Sequence, residues 1–242
     1  MKVELIGTGC IGTKQNSASC LINKKILLDV PNGICRTLKN MNKPLNYINT
    51  VIITHYHGDH FFDLPFLILE KVFKPEENNF PLNIIGPKDI EERTKDLYET
   101  AFPNGWETAN KVLNIKFIEI LPGETKYIDD LTIEAVKVEH KLPEAQGYIL
   151  TIDNQRCAFT GDSRACEGID YLLSKSKILI ADCANTIGGE THMGIDNIKE
   201  YTEKYSDNVI VATHMKEETR KEAEKLEIEN FIVPTDGYIL DF

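Results

Sequence analysis

The sequence predicts an α/β fold, and three observations carry that prediction. Short apolar or alternating runs of strand length recur along the chain, and segments of helical period fill several gaps between them. No Pro-, Gly- or Ser-rich tract, fixed-period repeat or low-complexity window marks an internal boundary. The pattern reads as one domain over residues 1–242, with strands dominating the first two thirds, hairpins early and strand–helix alternation late.

The elements follow in order. Runs at 3–6, 19–22 and 25–29 are too short and too apolar for surface helices and read as the early strands. A helical pattern at 33–40 leads to a strand at 49–53, and a long apolar helical pattern at 60–73 leads to a strand at 82–85. A helix at 88–99 precedes strands at 115–120, 131–138, 147–152 and 156–160. Beyond them a helix at 168–174, a strand at 178–181, a helix at 196–204, a strand at 209–212 and a helix at 216–225 alternate, the last with mixed charges at i,i+4 spacing.

Composition narrows the function classes. A chain of 242 residues with 42% hydrophobic content can bury its own core. The formal charge of −11 excludes a large basic footprint for nucleic acid, though not a small local patch. The longest apolar stretches, 66–69 and 178–181, fall far short of the roughly 20 residues that cross a bilayer. No basic, apolar, small-residue leader opens the chain, so no membrane association or secretion is expected. Cys10, Cys20, Cys35, Cys157, Cys166 and Cys183 are scattered without C-x-x-C pairs and read as reduced thiols of a cytoplasmic protein.

The informative segment is Thr54-His55-Tyr56-His57-Gly58-Asp59-His60, between the apolar run Val51-Ile52-Ile53 and the helical pattern that follows. A strand end and a glycine turn let His55 and His57 project from one edge, while Asp59 and His60 open the next helix and point back across the same hollow. Imidazole nitrogens and a carboxylate are the ligand set of zinc, manganese or iron, and the grouping suits two ions better than one. The bland alternative, a solvated polar turn, rarely packs three histidines and an aspartate so tightly.

Further candidate ligands stand just beyond strands. His140 follows the run ending at Val138, Asp162 follows Phe159-Thr160-Gly161, and His214 follows Val211-Ala212-Thr213, which is where open α/β sheets collect their sites. Of the six histidines, only His192 is then unassigned. It lies in the loop Gly188-Gly189-Glu190-Thr191-His192-Met193-Gly194 and is a candidate general acid, with Asp182, at the end of the run 178–181, as the carboxylate that orients it. The competing reading is a surface histidine and a strand-end aspartate that never meet.

With these residues assembled, the chain resembles the metallo-β-lactamase superfamily, whose T-H-x-H-x-D-H signature stands at Thr54 to His60. Leu5-Ile6-Gly7-Thr8-Gly9, Asp29, His140, Gly161-Asp162-Ser163 and Thr213-His214 fall in the order of that family's motifs over nearly the whole chain. It looks most like the phosphodiesterase branch of ribonuclease Z and the cyclic phosphodiesterase of phosphonate breakdown. His60-Phe61-Phe62-Asp63-Leu64-Pro65, Ile84-Ile85-Gly86-Pro87 and Thr191-His192-Met193-Gly194 carry that likeness. The resemblance implies an αβ/βα sandwich of two mixed sheets with helices outside and metals at one edge. It implies two divalent ions, zinc first and manganese or iron as alternatives. His55, His57 and His140 would hold one and Asp59, His60 and His214 the other, with Asp162 bridging and Asp29 orienting a ligand from behind. Asp59, His192 and Asp182 form the implied catalytic set, and it favours pairing of the last two, although the branch carries a longer Glu where Asp182 stands.

The departures are equally specific. In tRNA-processing members an arm that grips tRNA is inserted between the third and fourth metal motifs; here His140 to Asp162 has room only for two strands and a turn. No counterpart of the cysteine-rich structural zinc site of the cyclic phosphodiesterases is found. The expected substrate is therefore a small, cyclic or short-nucleotide phosphodiester. Two ions would activate a water between them, and His192 would protonate the departing oxygen. Lys14, Lys141 and Arg164 adjoin the motifs and could meet a phosphate, but they read more simply as solvated surface charges. Hydrolysis of a thioester, lactone or β-lactam on the same site, and metal or ligand binding without catalysis, are the competing functions. Trp106 reads as a lid or, more simply, a core-anchored aromatic, and Cys183 as a buried small hydrophobe. A homodimer is compatible with the sequence, though no feature calls for one.

Overall fold

A computed structural model describes residues 1–75 and 81–242. Its first sheet contains β1 (Lys2–Gly7), β2 (Ser19–Ile22), β3 (Ile26–Leu28), β4 (Thr50–Ile52), β5 (Asn83–Gly86), β6 (Lys116–Glu119) and β14 (Tyr238–Asp241), in the order β14-β1-β2-β3-β4-β5-β6. The second contains β7 (Thr125–Ile128), β8 (Leu131–Lys137), β9 (Gln146–Ile152), β10 (Gln155–Phe159), β11 (Ile178–Asp182), β12 (Val209–Thr213) and β13 (Phe231–Ile232), in the order β13-β12-β11-β10-β9-β8-β7. Both sheets are mixed: β14, β1, β2 and β3 pair antiparallel and β3, β4, β5 and β6 parallel in the first, while β7, β8, β9 and β10 pair antiparallel and β10, β11, β12 and β13 parallel in the second.

Alternation along the strands explains the layers. Leu28, Ile52, Ile85, Tyr148, Leu150, Phe159, Ile180 and Val211 share one apolar cluster between the two sheets. Their strand neighbours Leu27, Val51 and Ile84 pack outward against Leu38, Leu67 and Tyr98, which lie in α1 (Ile34–Asn40), α3 (Leu64–Val72) and α4 (Ile90–Ala101). Ala158, Leu179 and Ile210 pack the other way, against Leu172 of α6 (Glu167–Lys175), Ile198 of α7 (Ile195–Lys204) and Ala223 of α8 (Glu217–Ala223). The central strands are continuous apolar runs because both of their faces are covered. The result is the four-layer αβ/βα sandwich that the sequence implied.

Several local expectations differ. The single helix expected at 60–73 is two, α2 (Gly58–Phe61) and α3. Pro65 accounts for the break, since in a continuous helix its ring would strike the carbonyl of Phe61. Asp63 fills the joint, its Oδ2 accepting the Cys35 amide at 2.8 Å. Strand–helix–strand crossovers occur in both halves rather than late in the chain, because β3, β4, β5 and β6 are parallel neighbours. α5 (Trp106–Leu113) and the strands β7, β13 and β14 were not anticipated: β7 and β14 are short, half-exposed edge strands, and their pairing depends on partners rather than on pattern. Trp106 is buried against Tyr98, with ring centroids 5.6 Å apart, and is a core residue rather than a lid.

Two links join the sheets beneath the loop after β4. Tyr148 donates its hydroxyl to the carbonyl of Ile53 at 2.7 Å, and the Gln146 amide donates to the carbonyl of Thr54 at 3.2 Å. They set the height of the strand end from which His55 projects.

Candidate active site

Every residue singled out for metal or catalysis lies at the carboxyl end of a strand or in the segment that leads from that end into the next element, and these ends share one edge of the sandwich. Asp29 follows β3, His55 and His57 follow β4, Asp59 and His60 lie in α2, and His140 follows β8. Asp162 follows β10, Asp182 ends β11, His192 lies between β11 and α7, and His214 follows β12. Both sheets therefore contribute, which is why residues so far apart in sequence converge.

Three imidazole nitrogens meet first. His57 Nδ1 lies 3.0 Å from His55 Nε2 and 3.3 Å from His140 Nε2, and Asp162 Oδ2 lies 3.8 Å from His55 Nε2. Ligands about 2.0–2.1 Å from a tetrahedral ion stand roughly 3.3–3.4 Å apart, so this spacing suits a zinc-sized cation. The second group is His60, Asp59 and His214: His214 Nε2 lies 3.4 Å from Asp59 Oδ2, and His60 Nε2 lies 3.8 Å from the same oxygen. Asp162 stands between the groups, with Oδ1 3.3 Å from His60 Nε2 and Oδ2 3.4 Å from His214 Nε2.

Hydrogen bonds behind the ligands decide which nitrogens face inward. The buried Asp29 accepts the Thr54 amide, the Thr54 hydroxyl and His60 Nδ1, each at 2.8 Å. Thr54 Oγ1 in turn lies 3.1 Å from His55 Nδ1, so one carboxylate orients His60 directly and His55 through a hydroxyl. With Nδ1 donating, His60 presents the lone pair of Nε2 to the carboxylates of Asp59 and Asp162. That nitrogen is buried without a hydrogen-bond partner among the described residues. Lone pairs aimed at carboxylates are unfavourable unless a cation lies between them, and a divalent ion fits that need. The donor set therefore fits the metal that the resemblance implied.

Burial and neighbouring charge pull the imidazoles apart. Burial and the positive neighbour His60 hold His55 well below the ordinary histidine range. For His60, burial is outweighed by the Asp162 and Asp29 carboxylates, which hold it well above that range, so that without a metal ion a proton on Nε2 takes the place of the cation between them.

His140 Nδ1 donates to the carbonyl of Thr191 at 2.9 Å, which ties this ligand to the loop of His192. His192 and Asp182 do meet: Nδ1 lies 2.7 Å from Asp182 Oδ2. The shorter carboxylate reaches because Asp182 is fully buried and fixed by the amides of Ser163 (2.9 Å, on Oδ2) and Ala184 (3.0 Å, on Oδ1). Burial opposes a charge on His192, but the bond to Asp182 outweighs it and holds the imidazole above its ordinary range. The ring stacks on His214 at 5.1 Å, beside the second ligand group.

The turn that aims Asp162 needs glycine. Gly161 has φ +60°, and a Cβ there would stand 2.9 Å from Cβ of Thr54. Asp29 and His214 also adopt left-handed backbone, with φ of 59° and 57°.

Some expectations settle as surface or core. Lys14 and Lys141 are exposed, and Arg164, also exposed, donates to Glu139 at 2.7 Å. Cys183 packs in the apolar layer between the second sheet and its helices. Sequence reasoning missed the contributions of Thr54 and the Thr191 carbonyl. A backbone oxygen leaves no trace in composition, although Thr54 stood inside the motif.

Comparison with known proteins agrees with this geometry. Ribonuclease Z of Staphylococcus carnosus is 29% identical over 151 residues, covering 59% of this chain and 47% of that protein, so the chain spans about half the length of the curated relatives it matches. The metallo-β-lactamase fold protein YhfI of Bacillus subtilis superposes with a TM-score of 0.77 at 20% identity, covering 99% of this chain and 98% of its own. A diphosphatase of the PhnP family gives 0.77 at 17% identity, with 100% and 97% covered. The fold is that of the metallo-β-lactamases. Over residues 1–238 the sequence also matches the family described as anti-Pycsar protein Apyc1, and the chain belongs to that family.

Proposed function

We propose that the protein is a metal-dependent hydrolase that cleaves a small or cyclic phosphodiester. The observation that carries this reading is the pairing of His192 with Asp182 at 2.7 Å beside seven convergent His and Asp side chains that could hold metal. His55, His57 and His140 would hold one divalent ion and Asp59, His60 and His214 a second, with Asp162 between; zinc is the first choice, manganese or iron the alternatives. When bound, such ions supply a water acidic enough to attack at neutral pH and neutralise phosphoryl oxygens. Asp29 keeps His55 and His60 in the tautomer that presents Nε2. Asp182 holds Nδ1 of His192, supports its positive form and leaves the Nε2 proton for the departing alkoxide.

A small substrate is supported by the chain between His140 and Asp162. It contains β9 and β10 joined by the two-residue turn Asp153-Asn154, both residues at positive φ, as a tight hairpin requires. A hairpin this tight supports the reading that no tRNA-gripping arm is inserted in this stretch, and a charge of −11 argues in the same direction. No helix among the described residues is long and apolar enough to cross a membrane, and the six free thiols suit the reducing cytoplasm.

The chain is also proposed to form homodimers. Phe62, Phe66 and Phe73, which are 52%, 49% and 72% exposed, and the half-buried Leu69 follow at spacings of four, three and four, Phe62 capping α2, Phe66 and Leu69 in α3 and Phe73 just after it. Such an apolar stripe suits a second copy. Light scattering should give a dimer that Phe66→Glu converts to monomer; a monomeric wild type would refute it.

The function is tested with protein stripped and reconstituted with zinc, manganese or iron, assayed on bis(p-nitrophenyl) phosphate beside His192→Ala. Hydrolysis that requires metal and collapses in the mutant, with metal content unchanged, is expected. Two bound metals with no diester turnover, but with turnover of nitrocefin or an S-acyl glutathione, would replace the reading by acyl hydrolysis.

A further inference from the structure

We propose that Lys216 contacts the phosphoryl group of the substrate, anchoring its charge at the mouth of the site. This rests on the phosphodiester reading above. Lys216 follows His214 by two residues and is exposed. The residue between them, Met215, donates its amide to the carbonyl of Thr8 at 3.2 Å and bridges to Gly9, so the segment is pinned beside Cys10. On the other side, Nζ of Lys216 donates to Oδ1 of Asn185 at 2.7 Å. Asn185 is itself bonded through its amide to the carbonyl of Met193, the residue after His192. The ammonium is thus held against Asn185 beside the loop of His192, on a backbone segment pinned next to Cys10.

Charge balance gives this placement its purpose. Asp29, Asp59, Asp162 and Asp182 are all buried, and their four negative charges would offset two divalent ions. A phosphodiester monoanion and an attacking hydroxide then need positive charge from the protein. His192 supplies one such charge. Lys216 supplies a second, with an ammonium that has three donors, one of them directed to Asn185. Lys14, Lys141 and Arg164 were the cations weighed as phosphate contacts and read more simply as surface charges, and Lys216 was not among them. It lies two residues beyond His214, and only the fold sets it beside the loop of His192.

The test uses the metal-loaded protein as wild type, Lys216→Met and Lys216→Arg. Inorganic phosphate is titrated calorimetrically, and rates are measured on bis(p-nitrophenyl) phosphate. Lys216→Met should weaken phosphate binding about tenfold and raise KM by a similar factor, the size of one lost charge-assisted hydrogen bond. Its kcat should change by less than about threefold, and Lys216→Arg should retain most of the affinity. Metal content should match wild type in both variants. Phosphate affinity of Lys216→Met within about twofold of wild type would overturn the proposal, as would a wild type that binds no phosphate. A wild type that binds phosphate through Lys216 but hydrolyses no diester would overturn the phosphodiester reading and leave the anion contact standing.

Discussion

Replacing Asp182 by Asn changes one atom, and the structure says what that atom was holding. Oδ2 accepts the Ser163 amide at 2.9 Å and His192 Nδ1 at 2.7 Å, while Oδ1 accepts the Ala184 amide at 3.0 Å. A carboxamide has one acceptor oxygen, and its NH2 must therefore face a backbone N–H. The cheaper orientation keeps oxygen toward Ser163 and His192 and strands the Ala184 amide, a buried donor whose loss of partner costs about 1–3 kcal/mol. Asp182 is fully buried, so removing its charge also relieves a desolvation penalty that offsets part of this cost. The net expectation is a loss of about 1 kcal/mol, or roughly 2–4 °C in Tm for a protein of this size. Turnover should fall about 10–100-fold, because His192 keeps its orientation but loses the charge that supports its acidic form. Thermal unfolding followed by circular dichroism and initial rates on bis(p-nitrophenyl) phosphate read both effects. An unchanged Tm with unchanged kcat would refute the claim that both carboxylate oxygens are required.

Three further outcomes follow from the same geometry. Asp29→Ala should lower metal affinity about 10–100-fold, since both His55 and His60 lose the group that orients them; calorimetric titration of zinc into the apoprotein with wild-type affinity would refute it. Gly161→Ala should cost about 1–3 kcal/mol and disturb Asp162, because the added methyl meets Thr54 at a left-handed turn; chemical denaturation should show a lower midpoint, and an unchanged one would show that the turn relaxes freely. Phe159→Ala, in the apolar layer between the sheets, should destabilise by about 3–5 kcal/mol, and a loss below about 1 kcal/mol would mean that this layer is not tightly packed.

Much of the site was legible because metal ligation demands few residue types at short range. Three histidines and an aspartate within one short segment announce themselves without any fold, and His140, Asp162 and His214 could be placed because strand ends are where such ligands stand. Lys216 was not legible, because a lysine in a charged stretch looks like any solvated lysine until its neighbours are known. Thr191 acts through a carbonyl that every residue possesses. The break at Asp63 was announced by Pro65, yet the apolar periodicity around it argued for continuity.

Local sequence, then, determined the chemistry available and most of the strand and helix segments, since both depend on side-chain type and on periodicity over a few residues. It did not determine which strands lie side by side. β14 pairs with β1 from the opposite end of the chain, and β7 becomes an edge through its pairing with β8. Tertiary packing alone brought His192 onto Asp182, reached His55 from Asp29 through Thr54, and set Lys216 between two loops. Such contacts depend on how two independently formed sheets are seated on a shared apolar layer, and neighbours along the chain carry no record of that seating.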